Sequence, residues 1–252
     1  LGYGDDLIVS SIVKKAYAKH NKKICVGDGQ KVIWEEVFEH NPKMSKEPYP
    51  GCIWVPNIMG KRPYIDYTRS KPGKIAFNYD YKVEPGEIFF HPSELRHDQK
   101  DFIYIEPNVK GTFSGNKDWG FEKWQQVVKA LPYKFIQGRG RRLDAVEQVE
   151  TRSFRDACAL LANAKLFVGT DGGLHHAAAA LGLPGVVVWG GLAPPSVLGY
   201  DAHTNLHMGA AACGLNGACE HCRKALAGIT VEMVVSAITG HAGAFAKHSE
   251  GH

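Results

Sequence analysis

The second half of the chain alternates short apolar runs with amphipathic stretches. Asp101 to Ile105, Tyr133 to Gln137, Lys165 to Val168 and Val186 to Trp189 each read as a strand. Between and after them, the spacing of apolar positions predicts helices over Phe121 to Leu131, Phe154 to Ala164, Leu174 to Leu181 and Val231 to Thr239. Ser153 stands at an N-cap position, and Gly182-Leu183-Pro184 stops the third helix. Uninterrupted Val and Ile strands alternating with helices imply a parallel sheet covered on both faces.

The first half is patterned more weakly. Gly2-Tyr3-Gly4-Asp5-Asp6 reads as a glycine-rich turn. Leu7 to Lys19 follows at helical spacing, and Lys22 to Gly27 reads as a strand. The first strand of such a unit would lie just before Leu1. Val32 to His40 is a second helix candidate, ended by Asn41-Pro42. Residues 42–74 are rich in Pro, Gly, Lys and Tyr, with only Cys52 to Val55 strand-like; Ile75 to Tyr79 and Ile88 to Phe90 are two further strand candidates. The expected organisation is a small α/β domain over 1–100, a larger one over 101–240 and a loose tail over 241–252.

Composition narrows the class. Hydrophobic residues make up 44%, enough apolar surface to offset the ordering entropy, which excludes a disordered chain. The net charge is +4, from 30 basic and 26 acidic residues. It permits an anionic ligand without announcing nucleic acid, because no long Lys/Arg run appears. The longest stretch free of Asp, Glu, Lys and Arg, Gly172 to Tyr200, is broken by prolines and glycines and reads as no membrane span. With no secretory signal before the first motif and six cysteines expected as reduced thiols, a cytoplasmic location is anticipated.

Open parallel sheets bind ligands beyond the carboxyl ends of their strands. Four polar, glycine-bearing turns fall at such ends, at 2–6, 107–119, 137–140 and 169–173. In the last, a strand enters Gly169-Thr170-Asp171-Gly172-Gly173 and passes straight into a helix. Free N–H groups and the positive helix end then suit a phosphate or diphosphate. An ordinary turn with Asp171 capping the helix explains the same five residues equally well.

The longer string Leu166 to Pro184, with Gly-Thr-Asp-Gly-Gly, His176 and Gly182-Leu183-Pro184, resembles the donor-binding segment of glycosyltransferase family 9, the lipopolysaccharide heptosyltransferase family. Three further matches keep the family's order. Gly4-Asp5 precedes an aliphatic helix, Lys117-Asp118-Trp119 precedes Phe121 to Trp124, and Cys219 to Cys222 leads into Ile229 to Glu232. The likeness is strong over 101–239, short over 2–19 and absent between about 30 and 95.

The resemblance implies an α/β, GT-B-like fold: two Rossmann-like domains with parallel sheets facing across a cleft, the N-terminal one reduced and acceptor-side, the C-terminal one holding the donor. It implies an inverting glycosyltransferase that moves a sugar from a nucleotide-diphosphate sugar to a hydroxyl and requires no metal or other cofactor. Asp5 would then be the general base. Donor binding would fall to Lys117, Gln137, Gly169, Thr170, Asp171, Gly172, Gly173 and His176. Local chemistry offers plainer readings of some of these. Asp5 could cap a helix, Lys117 could be a solvated loop charge, His176 a structural residue, and Gln137 a brace for its own loop. Asp6 competes with Asp5. The cluster Arg139, Arg141 and Arg142 reads as a solvated loop, and Trp119 and Trp124 as core.

Cys213, Cys219 and Cys222, with His207 and His221 nearby, carry ligand types for a tetrahedral site, expected to be structural if metal binds at all. A glycan or lipopolysaccharide-type acceptor leads. Lys61, Arg62, Arg69, Lys71 and Lys74, interleaved with Tyr64, Tyr67, Tyr79 and Tyr81, keep a hydroxylated base in modified DNA as an alternative acceptor. A non-catalytic nucleotide-sugar-binding protein is the third reading.

Overall fold

A computed structural model of the chain describes residues 2–110 and 115–249. The chain opens on helix α1 (Tyr3–His20), then strands β1 (Ile24–Gly27), β2 (Met44–Ser45) and β3 (Ile53–Pro56). β1 lies between β2 and β3, parallel to both. The larger sheet follows: β4 (Ile103–Glu106), α2 (Phe121–Ala130), β5 (Phe135–Gln137), β6 (Glu147–Gln148), α3 (Phe154–Leu161) and β7 (Leu166–Thr170). The chain continues through α4 (Gly173–Ala180), β8 (Gly185–Val188), α5 (Pro195–Leu198), β9 (His203–Leu206), α6 (Glu220–Ala227) and α7 (Val231–Ser249). Strand order is β6-β5-β4-β7-β8-β9, every neighbouring pair parallel. The connections run outward from β4 on one side and from β7 on the other, so the sheet has its topological switch point between β4 and β7.

Four expectations are corrected. The turn at 2–6 is the first turn of α1, which starts at Tyr3; the Asp5 side chain satisfies the Gly2 N–H there. Val32 to His40 is not a helix beyond a single 3-10 turn at Glu36–Phe38. Its β-branched start instead pairs with β1, with Ile33 N–H donating to Val26 O at 2.8 Å. Ile75 to Tyr79 and Ile88 to Phe90 join neither sheet; the first makes only isolated bridges around it, at Lys74 and Phe77. The expected loose tail continues α7 to Ser249, as an Ala-rich stretch favours, while residues 250–252 lie outside the described part.

The larger sheet is covered on both faces. One face packs on α2 and α7 around Trp124, Val168 and Val234. On the other, α3 and α4 carry α1, and the apolar cluster runs from Phe167 and Trp189 through Leu7 and Val13 to Phe38 and Val55. That cluster joins the two sheets. Among the described residues, no helix is long and apolar enough to cross a membrane.

Leu7 is fully buried in the shared cluster. Leu7→Ala should cost about 2–5 kcal/mol, the usual range for truncating a buried leucine. In urea unfolding followed by far-UV dichroism and by tryptophan fluorescence, both probes should move to the same lower midpoint. Movement of only one would show that the cluster does not couple the halves.

Candidate functional site

A cavity of about 430 Å³ lies beyond the carboxyl ends of β4 and β7, at the switch point. Two helices begin at its wall. The first turn of α4 supplies Gly172 and Gly173, and the first turn of α1 supplies Gly4 and Asp5. They meet through glycine: a Cβ on Gly4 would lie 2.8 Å from His176 Cδ2 and 3.7 Å from Gly173 Cα. Side chains there would hold the two helix starts apart. With both positive ends aimed at one space, the backbone alone makes the cavity attractive to anions.

The side chains divide by what they touch. Lys117, on the loop after β4, places Nζ 2.7 Å from Asp171 Oδ2 and donates to the Asp171 carbonyl at 3.2 Å. Asp171 is only 5% exposed, so this pair is largely desolvated. Asp171 therefore faces Lys117 rather than capping α4. The His175 ring supplies that cap: Nδ1 accepts from Gly172 N–H at 2.9 Å, while Nε2 donates to Leu198 O at 3.2 Å. Burial pushes His175 down to about 4 and His176 well below its usual value, so both rings are neutral. Burial also raises the Tyr200 phenol, which stays protonated, with its Oη 2.7 Å from His176 Nδ1.

Asp5 is held on every side. Its Oδ2 accepts from Gly2 N–H at 3.1 Å and is ion-paired with Arg62, whose Nη2 lies 2.9 Å away, and its Oδ1 accepts from Tyr64 Oη–H at 2.5 Å. Asp6 is instead buried in the core. Asn57 Nδ2 donates to it at 2.9 Å, and burial, partly opposed by that hydrogen bond, pushes it up to about 6.

Asp5, Lys117, Thr170, Asp171, Gly172, Gly173 and His176 thus share one cavity. Two other predicted donor residues do not line it. Gln137 braces its own loop, donating to Arg141 O and accepting from Leu143 N–H, both at 2.9 Å. Gly169 lies within β7, paired in register with Glu106. Trp119 and Trp124 are core, their rings edge to face at 4.6 Å. Arg139, Arg141 and Arg142 are exposed, with Arg141 over the Phe121 ring.

The sequence reading did not place three residues here: Arg62 and Tyr64 were read only as part of a basic, tyrosine-rich acceptor surface, and Glu106 was given no role. Tyr64 and Arg62 come from a segment with no recognisable pattern. Glu106 ends β4 and lines the cavity, with Oε1 accepting from Asn108 N–H at 2.9 Å. Its position at a strand end, one residue before a turn already marked as polar, was the available signal.

Away from the cavity, Cys213 Sγ lies 3.9 Å from Cys219 Sγ and 3.4 Å from Cys222 Sγ. Thiolates around a tetrahedral metal, about 2.3 Å from it, stand roughly 3.8 Å apart, so these three fit as ligands. Among the described residues no fourth metal-binding side chain joins the group. His221 Nε2 is 2.7 Å from Ala211 O, and His207 Nδ1 accepts from Gly209 N–H.

Comparison with known proteins agrees with this arrangement. Residues 149–224 match glycosyltransferase family 9 (heptosyltransferase). No curated protein sequence matches the chain. Among solved structures, an iron-containing dodecameric glycosyltransferase, TibC, from enterotoxigenic E. coli has a TM-score of 0.69 at 13% identity over 97% of this chain and 74% of its own. The glycosyltransferase family 9 protein of Veillonella parvula has a TM-score of 0.65 at 13% identity, over 96% and 94%. E. coli heptosyltransferase WaaC, solved with ADP-2-deoxy-2-fluoro heptose, is 19% identical with a TM-score of 0.45, over 59% and 46%. The chain thus spans about half the length of that enzyme. It is GT-B-like in fold and similar to glycosyltransferase family 9 in its second half.

Glu106 gives the site a pH signature. Burial, opposed by hydrogen bonds from Asn108, pushes its carboxyl from 4.5 up to about 7. Between those values the folded protein holds a proton that the unfolded chain has lost, so stability falls as pH rises from about 4.5 to 7. Glu106→Gln should flatten that decline in melting temperature, and an unchanged slope would place the proton elsewhere.

Proposed function

We propose that the protein is an inverting glycosyltransferase that moves a sugar from a nucleotide-diphosphate sugar to an acceptor hydroxyl. One observation carries this reading: a single cavity at the switch point gathers a carboxylate, a lysine–aspartate pair and two helix N-termini. The diphosphate would lie against the amides of Asp171 to Gly173 and the Thr170 hydroxyl, with the His176 ring beside them. Lys117 would leave Asp171 for the phosphate oxygens, and Asp171, so released, would accept from sugar hydroxyls.

In the transfer step Asp5 takes the proton of the acceptor hydroxyl. The acceptor oxygen bonds to the anomeric carbon on the face opposite the diphosphate. The bond from that carbon to the diphosphate oxygen breaks, and the nucleoside diphosphate leaves with the electron pair. Charge developing on it is met by protein donors, so the step calls on no metal. Cys213, Cys219 and Cys222 do not line the cavity; as three thiolate ligands they suit a structural metal.

For the acceptor, a glycan hydroxyl is the reading we favour. Of the tyrosines interleaved with basic residues, Tyr64 is buried against Asp5 and Tyr81 packs on the core, and Arg62 and Arg69 are paired with Asp5 and Asp66. Tyr67, Tyr79, Lys61, Lys71 and Lys74 are exposed.

A thermal-shift screen against ADP-heptose and ADP-, GDP-, UDP- and CDP-glucose should find one nucleotide that stabilises the protein. Asp5→Asn should lower transfer by about 10²–10⁴-fold, the worth of a positioned base, with donor affinity nearly unchanged. Equal loss of both would favour a binding role over catalysis. Lys117→Ala should weaken nucleoside diphosphate binding by about 1.5–3 kcal/mol in calorimetry. Because it also strands Asp171, the double variant Lys117→Ala/Asp171→Asn should recover melting temperature but not affinity.

A further inference from the structure

We infer that Tyr64 and Arg62 are positioning residues for the base, holding Asp5 so that a single lone pair of Oδ1 is offered to the acceptor. The inference rests on Asp5 as the base. A carboxylate has about four acceptor positions, two on each oxygen. Gly2 N–H fills one on Oδ2, the Arg62 guanidinium stands beside that oxygen as its ion-pair partner, and Tyr64 Oη–H fills one on Oδ1. The remaining position on Oδ1 is left for a proton from the acceptor. The terminal torsion of an aspartate is broad and roughly two-fold, so without these donors either oxygen could turn toward the cavity. Tyr64 can only donate here: burial and the neighbouring carboxylate push its phenol far above its usual range. Arg62 adds a rigid fork and a fixed charge.

The pair is fixed from a distance. Asn78 clasps the stretch that carries it, with its N–H donating to Tyr64 O at 2.9 Å and Nδ2 to Pro63 O at 3.0 Å. Asp66 N–H donates to Ala76 O at 2.9 Å. The returning chain is docked in turn on the cysteine-bearing loop, where Ile75 N–H donates to Gly214 O at 2.8 Å and Asn216 N–H to Gly73 O at 3.0 Å. Gly214 sits at φ +63°, and a Cβ there would lie 1.8 Å from Ile75 O. The segment of the first half without any family likeness thereby carries one hydrogen-bond donor and one ion-pair partner to Asp5, and it is anchored on the second half beside the thiol group.

The test uses the nucleotide sugars of the thermal-shift screen, with water as acceptor and nucleoside diphosphate release as the readout. Affinity is measured separately by calorimetry. Tyr64→Phe and Arg62→Gln should each slow release 10- to 100-fold while changing the dissociation constant less than two-fold. Arg62→Lys should recover part of the loss. Gly214→Val, remote from the cavity, should slow release in the same way by loosening the anchor. Rates within two-fold of the parent in Tyr64→Phe and Arg62→Gln, with Asp5→Asn inactive, would overturn the positioning role and leave the base in place. Full activity in Asp5→Asn, or no release by the parent with any donor, would overturn the base reading and this inference with it.

Discussion

The contact that organises this molecule is the approach of Gly4 to Gly173. Neither glycine presents a Cβ, so the first turns of α1 and α4 come together beside His176. A helix start is ordinarily a set of unsatisfied N–H groups that water or a cap must serve. Here two such starts, one from each half of the chain, share a wall of the same cavity. The switch point between β4 and β7 provides the opening, and the glycine contact decides what faces it. A Cβ at Gly173 would meet the Phe154 ring at 2.8 Å; a larger residue at Gly4 would press on His176 and push α1 off α4. That shift would withdraw Asp5 from Lys117 and Asp171, and would break the apolar cluster that runs between the sheets.

Four of the charges around that opening are arranged in pairs. Lys117 is bound to Asp171, and Arg62 to Asp5. Pairing lowers the cost of burying those four groups, while Lys110 and Glu106 line the same cavity outside the pairs. It also sets the terms on which an anion enters. The two pairs are not equivalent in what surrounds them. The lysine reaches its partner from a flexible stem as a point charge, while Arg62 is one of three groups that converge on one carboxylate. On the proposed reading, an incoming diphosphate would exchange partners with the first pair most easily. The second, braced by Tyr64, would keep its geometry. Binding and base would then be served by different pairs, so a ligand could be admitted without disturbing the proposed base.

Much of the second half could be read in advance because its strands are buried on both faces and spell continuous apolar runs. β4, β5, β7 and β8 fell close to their expected places, and Ser153 caps α3 through a hydrogen bond to Asp156 N–H. The edge strand β9, His203–Leu206, escaped because its sequence is polar and it is stabilised by pairing with β8 alone. Much of the first half is held differently. Asp28, Asn41, Asp66 and Asn78 each turn the backbone through side-chain hydrogen bonds, and such turns have no period. That is why Val32 to His40 read as a helix, and why Tyr64 and Arg62 carried no signal of their place beside Asp5. Gln137 shows the converse limit: its place at a strand end was visible, but nothing in the sequence could say that Arg141 and Leu143 would occupy its amide.

Glu106 adds a constraint of another kind. It stands at the floor of the same opening, where β4 ends, and its carboxyl is pushed toward neutrality by burial. A neutral acid is a donor as well as an acceptor, so below about 7 it can hydrogen-bond an anionic ligand instead of repelling it. Once ionised it accepts only, which suits a hydroxyl and opposes a phosphate. Burial favours the neutral form, and the charge of Arg139 pulls the other way. A ligand that brings negative charge close to Glu106 would itself raise its proton affinity and so favour the form that welcomes it. Donor binding would then take up a proton on the acidic side of neutrality. Proton uptake at Glu106 and the proposed proton transfer to Asp5 would then involve different groups of the same cavity.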